Sequence, residues 1–267
     1  MTITGIGNYT GKASASFTIT GKSIKTAVIS GVNSSYVYTG TAKTPAVTVK
    51  DGTKTLKKGT DYTVSYKNNI KAGTATITIK GEGNYSNTVT KTFKITAKAI
   101  SKAKLSGIKT SYKYTGKNQT PSVTLKDGKT TLKKGTDYTV TYKSNKAIGK
   151  ATITIKGKGN YSGAVTKTFQ IVPKTVTIKS ASSPKTKQLK ATWKTDSSVT
   201  GYQIAYATNK NFKSAKTTLV TKKATSSKTI SGLTKGKTYY VKVRAYKTVN
   251  GKKVYGAYSS VKTVKVK

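Results

Sequence analysis

The chain has no cysteine and no histidine, and only 6 acidic residues stand against 51 lysines and arginines in 267 positions. Without cysteine there is no disulfide framework and no thiolate nucleophile or soft metal ligand. Without histidine the commonest general base is missing as well. The acids are Asp51, Asp61, Glu82, Asp127, Asp137 and Asp196. A glycosidase-type site needs two carboxyls facing one cleft, and the sequence offers no obvious pair. A calcium site needs several converging oxygen ligands, usually including several carboxylates; these acids fall in separate turns. No catalytic, cofactor-binding or metal-ligating residues are therefore expected. No apolar run approaches the ~20 residues of a membrane span, and no signal peptide is evident.

Arginine is scarce too: Arg244 stands alone, so the net charge of +45 is almost entirely lysine. A cation this strong attracts anionic polymers and repels other copies of itself, so a monomer is expected. Lysine acts as a point charge, whereas arginine supplies the planar fork that reads phosphates and guanine edges. The field suits diffuse attraction better than sequence readout, and no specific nucleic-acid partner is expected. Interleaved Lys and Tyr could grip a single strand, but no RRM, KH or zinc-finger spacing accompanies them. The alternative role for the lysines is a solvated coat that keeps a Thr- and Tyr-rich β protein soluble and blocks edge-to-edge strand pairing.

What the chain does have is a repeat. ATITIKGEGNYSNTVTKTFKI from Ala75 returns as ATITIKGKGNYSGAVTKTFQI from Ala151, and its second half appears at the start as TITGIGNYTGKASASFTI. An offset of 76 residues aligns Asn8, Asn84 and Asn160, and likewise Phe17, Phe93 and Phe169. A fixed period of this kind marks an array of similar modules. The expected domains are an incomplete repeat at 1–20, full repeats at 21–96 and 97–172, and a different module at 173–267. Met1 is followed at once by the middle of a repeat, so the chain is expected to be a piece of a longer protein. In residues 1–20, strands are expected near Thr2–Thr4 and Ser14–Ile19; a lone hairpin is marginal in water, so it should be loosely held or docked on its neighbour.

Periodicity within the repeats is two. Tyr62, Val64 and Tyr66 share one face while Thr63 and Ser65 share the other; Ala75, Ile77 and Ile79 alternate with Thr76, Thr78 and Lys80. This is the half-buried strand pattern, and the second repeat shows it again in Tyr138, Val140 and Tyr142. Asp51-Gly52 and Asp127-Gly128 are hairpin signals; KKGTD and the GEGN or GKGN segments are further turns. About seven short strands without a helical run predict an all-β fold of tandem antiparallel β-sandwiches.

From Pro173 the period breaks. Leu189, Ala191 and Trp193 alternate, followed by GYQIAYA at 201–207, SKTISGL at 227–233 and KGKTYYVKVRAY at 235–246. This stretch resembles a fibronectin type III domain. The resemblance implies a sandwich with Trp193 in its core and Tyr239 as the tyrosine-corner residue, its hydroxyl bonded to nearby backbone. Residues between Tyr246 and Tyr255 read KTVNGKKV; no RGD loop is present, so the integrin binding of some family members does not carry over. The full repeats resemble Ig-like repeats of Gram-positive bacterial surface and secreted proteins, through YTG at 38–40 and 114–116, the TP pairs, L-x-x-GTDYTV and GxGNYS. In that setting such modules are spacers, stalks or wall-associated parts.

A few side chains carry a sharper alternative beside a structural one. Asp61 and Asp137 read as turn carboxylates bonded to backbone amides. The resemblance also implies an intramolecular Lys–Asn isopeptide bond with an acid as catalyst, for which Lys91 with Asn84, or Lys167 with Asn160, are first candidates. The sequons at Asn8, Asn84 and Asn160 read as turn formers. Most of the 18 tyrosines suit half-buried strands, with Tyr85 and Tyr161 the candidates for a sugar-stacking surface. The expected function is a non-catalytic, extracellular or cell wall-associated spacer and attachment region, with anionic cell-wall polymers or acidic glycans as partners. The alternative is a carbohydrate-binding accessory module or adhesin stalk of a secreted enzyme.

Overall fold

The computed structural model describes residues 1–267. It is all-β, a tandem Ig-like and fibronectin type III sandwich fold, with single 3-10 turns at Ile24–Thr26 and Ile100–Lys102 as its only helical pieces. The chain divides into two compact units, residues 1–99 with 157–162, and residues 100–156 with 163–267.

In the first unit a four-stranded sheet runs in the order Ser35–Val37, Thr88–Thr96, Gly73–Gly81, Tyr62–Lys67. A three-stranded sheet of Val28–Ser30, Thr48–Asp51 and Lys54–Thr55 forms the other layer. Ala75, Ile77 and Ile79 from the large sheet meet Val49 and Leu56, with Phe93, Ile95, Tyr62 and Tyr85 in the same core. Each buried aliphatic or aromatic side chain here is worth roughly 1.5–3 kcal/mol relative to exposure. Thr76, Thr78 and Lys80 take the other face, as the two-residue period requires. The DG hairpin pairs Asp51 with Lys54, and Gly52 takes φ +58°, the left-handed conformation that favours glycine in this turn.

The pairing is not wholly antiparallel. Ser35–Val37 runs parallel to Thr88–Thr96, and Lys22–Ser23 runs parallel to Tyr85–Ser86. Both pairs join strands distant in sequence, so no tight hairpin turn dictates their direction.

The second unit repeats the large sheet as Ser111–Lys113, Ala164–Val172, Gly149–Gly157, Tyr138–Lys143, and the small one as Lys104–Ser106, Thr124–Asp127, Thr130–Thr131. Its core is Leu125, Leu132, Tyr138, Ala151, Ile153, Ile155, Phe169 and Ile171. The same unit contains a second sandwich. Ile178–Ser182, Leu189–Trp193 and Ser227–Ile230 form one sheet. The other is Lys216–Val220, Gly201–Ala207, Thr238–Val249 and Lys252–Tyr255, with Lys262–Lys265 also on Thr238–Val249. Trp193 is fully enclosed and lies 5.3 Å from the Tyr202 ring, so it fills the core as expected. The Tyr239 hydroxyl accepts a hydrogen bond from the Thr234 N–H at 3.1 Å, which forms the tyrosine corner.

Residues 1–20 depart from expectation. Thr2–Thr4 is a strand, but its partner is Lys12–Ser14, and the chain leaves the strand at Ala15 with none over 15–19. In the first full repeat, Thr88–Thr96 is held by the nine-residue strand Gly73–Gly81; here only three residues precede the turn as a strand, so the returning chain runs out of partners. The hairpin is not docked on a core: Ile3, Ile6, Tyr9, Phe17 and Ile19 are all exposed.

Candidate functional site

The acids are largely committed to the fold. Asp61 Oδ2 accepts the Lys57 N–H at 2.8 Å, and Asp137 Oδ2 accepts the Lys133 N–H at 2.8 Å. Each carboxylate therefore closes its KKGTD turn. Asp196 Oδ1 accepts from the Ser198 amide and hydroxyl, and Glu82 Oε1 accepts from Thr63 Oγ1. Asp51 Oδ2 lies 2.7 Å from Lys22 Nζ. That hydrogen bond and the charge of Asp51 push the Lys22 ammonium pKa upward. No three acidic side chains converge as a metal site would require.

The tyrosines of Tyr62–Lys67 and Tyr138–Lys143 point inward and bond across their sandwiches. Tyr62 Oη donates to the Val47 carbonyl and Tyr66 Oη to the Pro45 carbonyl; Tyr138 and Tyr142 do the same to Val123 and Pro121. Burial raises the pKa of all four phenols. The proposed sugar-stacking role of Tyr85 and Tyr161 does not survive: each is only 8% exposed. Their short strands pair with Lys22–Ser23 and Lys98–Ala99, and the rings turn into packed surroundings. Tyr161 stands edge-on to Tyr38 at 5.6 Å.

The isopeptide candidates Lys91 and Asn84 are not brought together. Lys91 sits opposite Ile77, three residues along the strand from the Thr88–Lys80 pair, whereas Asn84 lies in the turn beyond Gly81. At ~3.4 Å per residue that is about 10 Å of strand before the turn begins. Asn160 uses its Oδ1 to accept the Ala72 N–H at 2.8 Å.

A cluster not anticipated from sequence lies on the polar face of Thr238–Val249. Lys242 Nζ sits 3.7 Å from the Phe212 ring centroid and 4.6 Å from that of Tyr258. Arg244 stacks on Tyr255 at 4.0 Å and on Tyr258 at 4.4 Å, while Gln203 Oε1 accepts from Arg244 Nε and from Tyr258 Oη. Cations alternate with rings, an arrangement worth about 0.5–1 kcal/mol per exposed contact. The available signal was the alternation of Lys242 and Arg244 with the buried Val241 and Val243.

The fold and these contacts define a β-sandwich protein whose polar groups serve turns, corners and sheet faces. Fn3 and Ig-like sandwiches are typically non-catalytic, and Fn3 domains are commonly extracellular spacer or adhesion modules. No helix is long and apolar enough to cross a membrane.

An Fn3 domain is found at residues 172–261, which match the family Fibronectin type III domain. Among solved structures, "Myokine structure" is 18% identical over 36% of this chain and 95% of that one, with a TM-score of 0.27. The chicken CNTN1 FN1–FN3 domains are 16% identical over 74% of this chain and 79% of that one, at 0.33. The solution structure of the 6th fibronectin type III domain from human fibronectin type III domain containing protein 3 is 20% identical, covering 35% and 81%, at 0.25. No curated protein matches the chain.

Proposed function

We propose that this chain is a non-catalytic extracellular spacer and attachment region of a larger bacterial surface or secreted protein. Its modules are a partial repeat at 1–20, Ig-like repeats at 21–96 and 97–172, and the fibronectin type III region from 173 to 267. Its lysine surface associates weakly with anionic cell-wall or glycan polymers. The observation that carries this reading is the disposition of charge. The excess of 51 basic over 6 acidic residues is spread through every module, while Asp61, Asp137 and Asp196 are engaged by backbone amides. With so few carboxylates, the lysines form a field that acidic side chains do little to neutralise.

A diffuse field of this kind makes many weak contacts, each releasing counterions, so binding is multivalent and falls steeply with salt. Surface charges more than about 8 Å apart are largely screened at physiological ionic strength, which keeps the affinity modest. The test is retention of the purified chain on teichoic-acid-bearing cell walls across a salt series. Retention at low salt that collapses by about 0.15 M is expected. Retention unaffected by salt, or none at low salt, overturns the electrostatic attachment.

A further inference from the structure

We propose that the loop at 68–73 of the first repeat, together with Tyr38, is a docking surface for the GxGNY turn of the repeat that follows, and that the side chain at position 72 selects which module docks there. The turn at Gly157–Ser162 belongs to the same compact unit as the first repeat, although its flanking strands belong to the second. Asn160 Oδ1 accepts the Ala72 N–H at 2.8 Å. The neighbouring Tyr161 ring meets Tyr38 edge-on at 5.6 Å, a favoured aromatic geometry. One turn thus makes a polar and an aromatic contact with the same repeat.

The turn carries asparagine for a reason other than its backbone. The left-handed conformation falls on Gly159, φ +62°, and on Gly83, φ +59°, in the first repeat, and neither Asn160 nor Asn84 adopts it. The main chain of the turn is fixed independently. The Asn160 carbonyl accepts the Lys98 N–H at 2.9 Å, and Ser162 Oγ donates to the Ala97 carbonyl at 3.2 Å. The Asn160 side chain is therefore presented on a preorganised turn, which lowers the cost of docking. Asn84 sits in the same G-x-G-N-Y-S motif and is exposed, whereas Asn160 is half-buried.

The receiving loop has the same backbone in both repeats and a different side chain. Asn68 and Ser144 each take φ +57°. Asn69 donates to the Lys43 carbonyl at 3.0 Å, and Asn145 donates to the Gln119 carbonyl at 2.9 Å, so both loops are braced alike. Ala72 in the first repeat corresponds to Ile148 in the second. The small residue lets a polar turn reach the loop amide itself. Ile148 is buried, and a Cβ on the adjacent Gly149 would stand 3.5 Å from Val249, at the end of a strand of the fibronectin type III sandwich. Alanine thus admits another repeat, and isoleucine an apolar strand end. Docking of this kind couples neighbouring repeats through an interface, as in stacked repeat arrays.

Amide hydrogen exchange on the full chain tests the proposal at residue 72. That amide should be protected in the wild type and exchange about tenfold or more faster in Asn160→Ala, which removes its acceptor. Asn84→Ala makes the same change in the same motif and should alter the residue-72 rate by less than about twofold. Ala72→Ile keeps the N–H and installs a side chain that the second repeat already tolerates. It should lose as much protection as Asn160→Ala, and the double variant should lose no more than either alone. A residue-72 amide that stays protected in Asn160→Ala overturns the docking, and equal effects of Asn160→Ala and Asn84→Ala do the same. Protection kept in Ala72→Ile overturns selection by side-chain size. Phe169→Ala gives an independent check, because it weakens the second repeat and with it the turn. The residue-72 amide should then lose protection along with strand Gly149–Gly157; protection that persists while that strand exchanges overturns the docking. Retention on cell walls should be the same in Asn160→Ala as in the wild type, so failure of the docking and failure of the electrostatic attachment are read separately.

Discussion

Replacing phenylalanine by alanine at the three aligned positions 17, 93 and 169 perturbs one sequence motif in three settings. Phe93 and Phe169 are each 2% exposed, whereas Phe17 is 74% exposed. Phe93 also meets Tyr36 edge-on at 5.1 Å, and Phe169 meets Tyr112 at 5.1 Å. Removing a buried phenyl ring costs about 3–5 kcal/mol, the lost transfer energy plus the cavity left behind. A module of about 76 residues has roughly 4–11 kcal/mol of stability in all. Phe93→Ala and Phe169→Ala should therefore remove from about a quarter to all of the stability of their repeats, while Phe17→Ala stays within about 0.5 kcal/mol.

Urea titration with tyrosine fluorescence reads all the modules, since tyrosines lie in the repeats and in residues 173–267 alike, and Trp193, the single tryptophan, reads the fibronectin type III sandwich by itself in the same sample, so the repeats' transition is the part of the tyrosine signal that tryptophan does not share. With a slope of about 1–2 kcal/mol per molar, the buried replacements should move the tyrosine midpoint by about 2 M or more. Amide exchange should localise the loss in Phe93→Ala to Gly73–Gly81 and Thr88–Thr96, the strands around that ring. The reasoning fails if Phe17→Ala is as costly as Phe93→Ala, since residues 1–20 would then share a core. It fails equally if either buried replacement costs less than about 1 kcal/mol.

The buried phenols make the repeats sensitive to alkali. Burial raises the pKa of Tyr66 and Tyr142 above the ordinary value near 10, so the unfolded chain loses these protons first; their contribution is full below about pH 10 and is lost as pH climbs through the raised folded values. Tyr66→Phe and Tyr142→Phe should each flatten the decline of urea midpoints between about pH 9 and 11, and an unchanged slope refutes this. Asp61→Ala and Asp137→Ala should each cost about 1–2 kcal/mol by orphaning the Lys57 or Lys133 amide. Asparagine at either site should recover most of that by keeping an acceptor oxygen, and thermal melts showing asparagine no better than alanine refute the turn-closing role.

Much of the fold was legible because its signals are local. The two-residue alternation in DYTVSY and ATITIK assigned inner and outer faces, and the Asp-Gly pairs marked hairpins whose glycines do adopt positive φ, +58° at both Gly52 and Gly128. Trp193 and Tyr239 were placed by the resemblance of their segment to a known module. What the sequence concealed depends on partners far along the chain. Tyr85 and Tyr161 sit in glycine-rich turns and read as exposed, yet each is paired to a strand more than sixty residues earlier. The stretch after Ser14 has the composition of a strand but only a three-residue neighbour to pair with. The Arg244 stack draws its rings from a following strand and loop, which alternation within one strand cannot reveal.

The two full repeats are most informative where they differ, because their shared fold cancels out of the comparison. Ala72 in the first corresponds to Ile148 in the second. Ala72 presents its N–H to Asn160 Oδ1 at 2.8 Å, a contact that depends on backbone geometry and needs no side chain. Ile148 is buried, and the adjacent Gly149 has Val249 within 3.5 Å of where its Cβ would stand. The same loop thus meets a polar turn in one repeat and an apolar strand end in the other, and the residue changes from small to large and apolar accordingly.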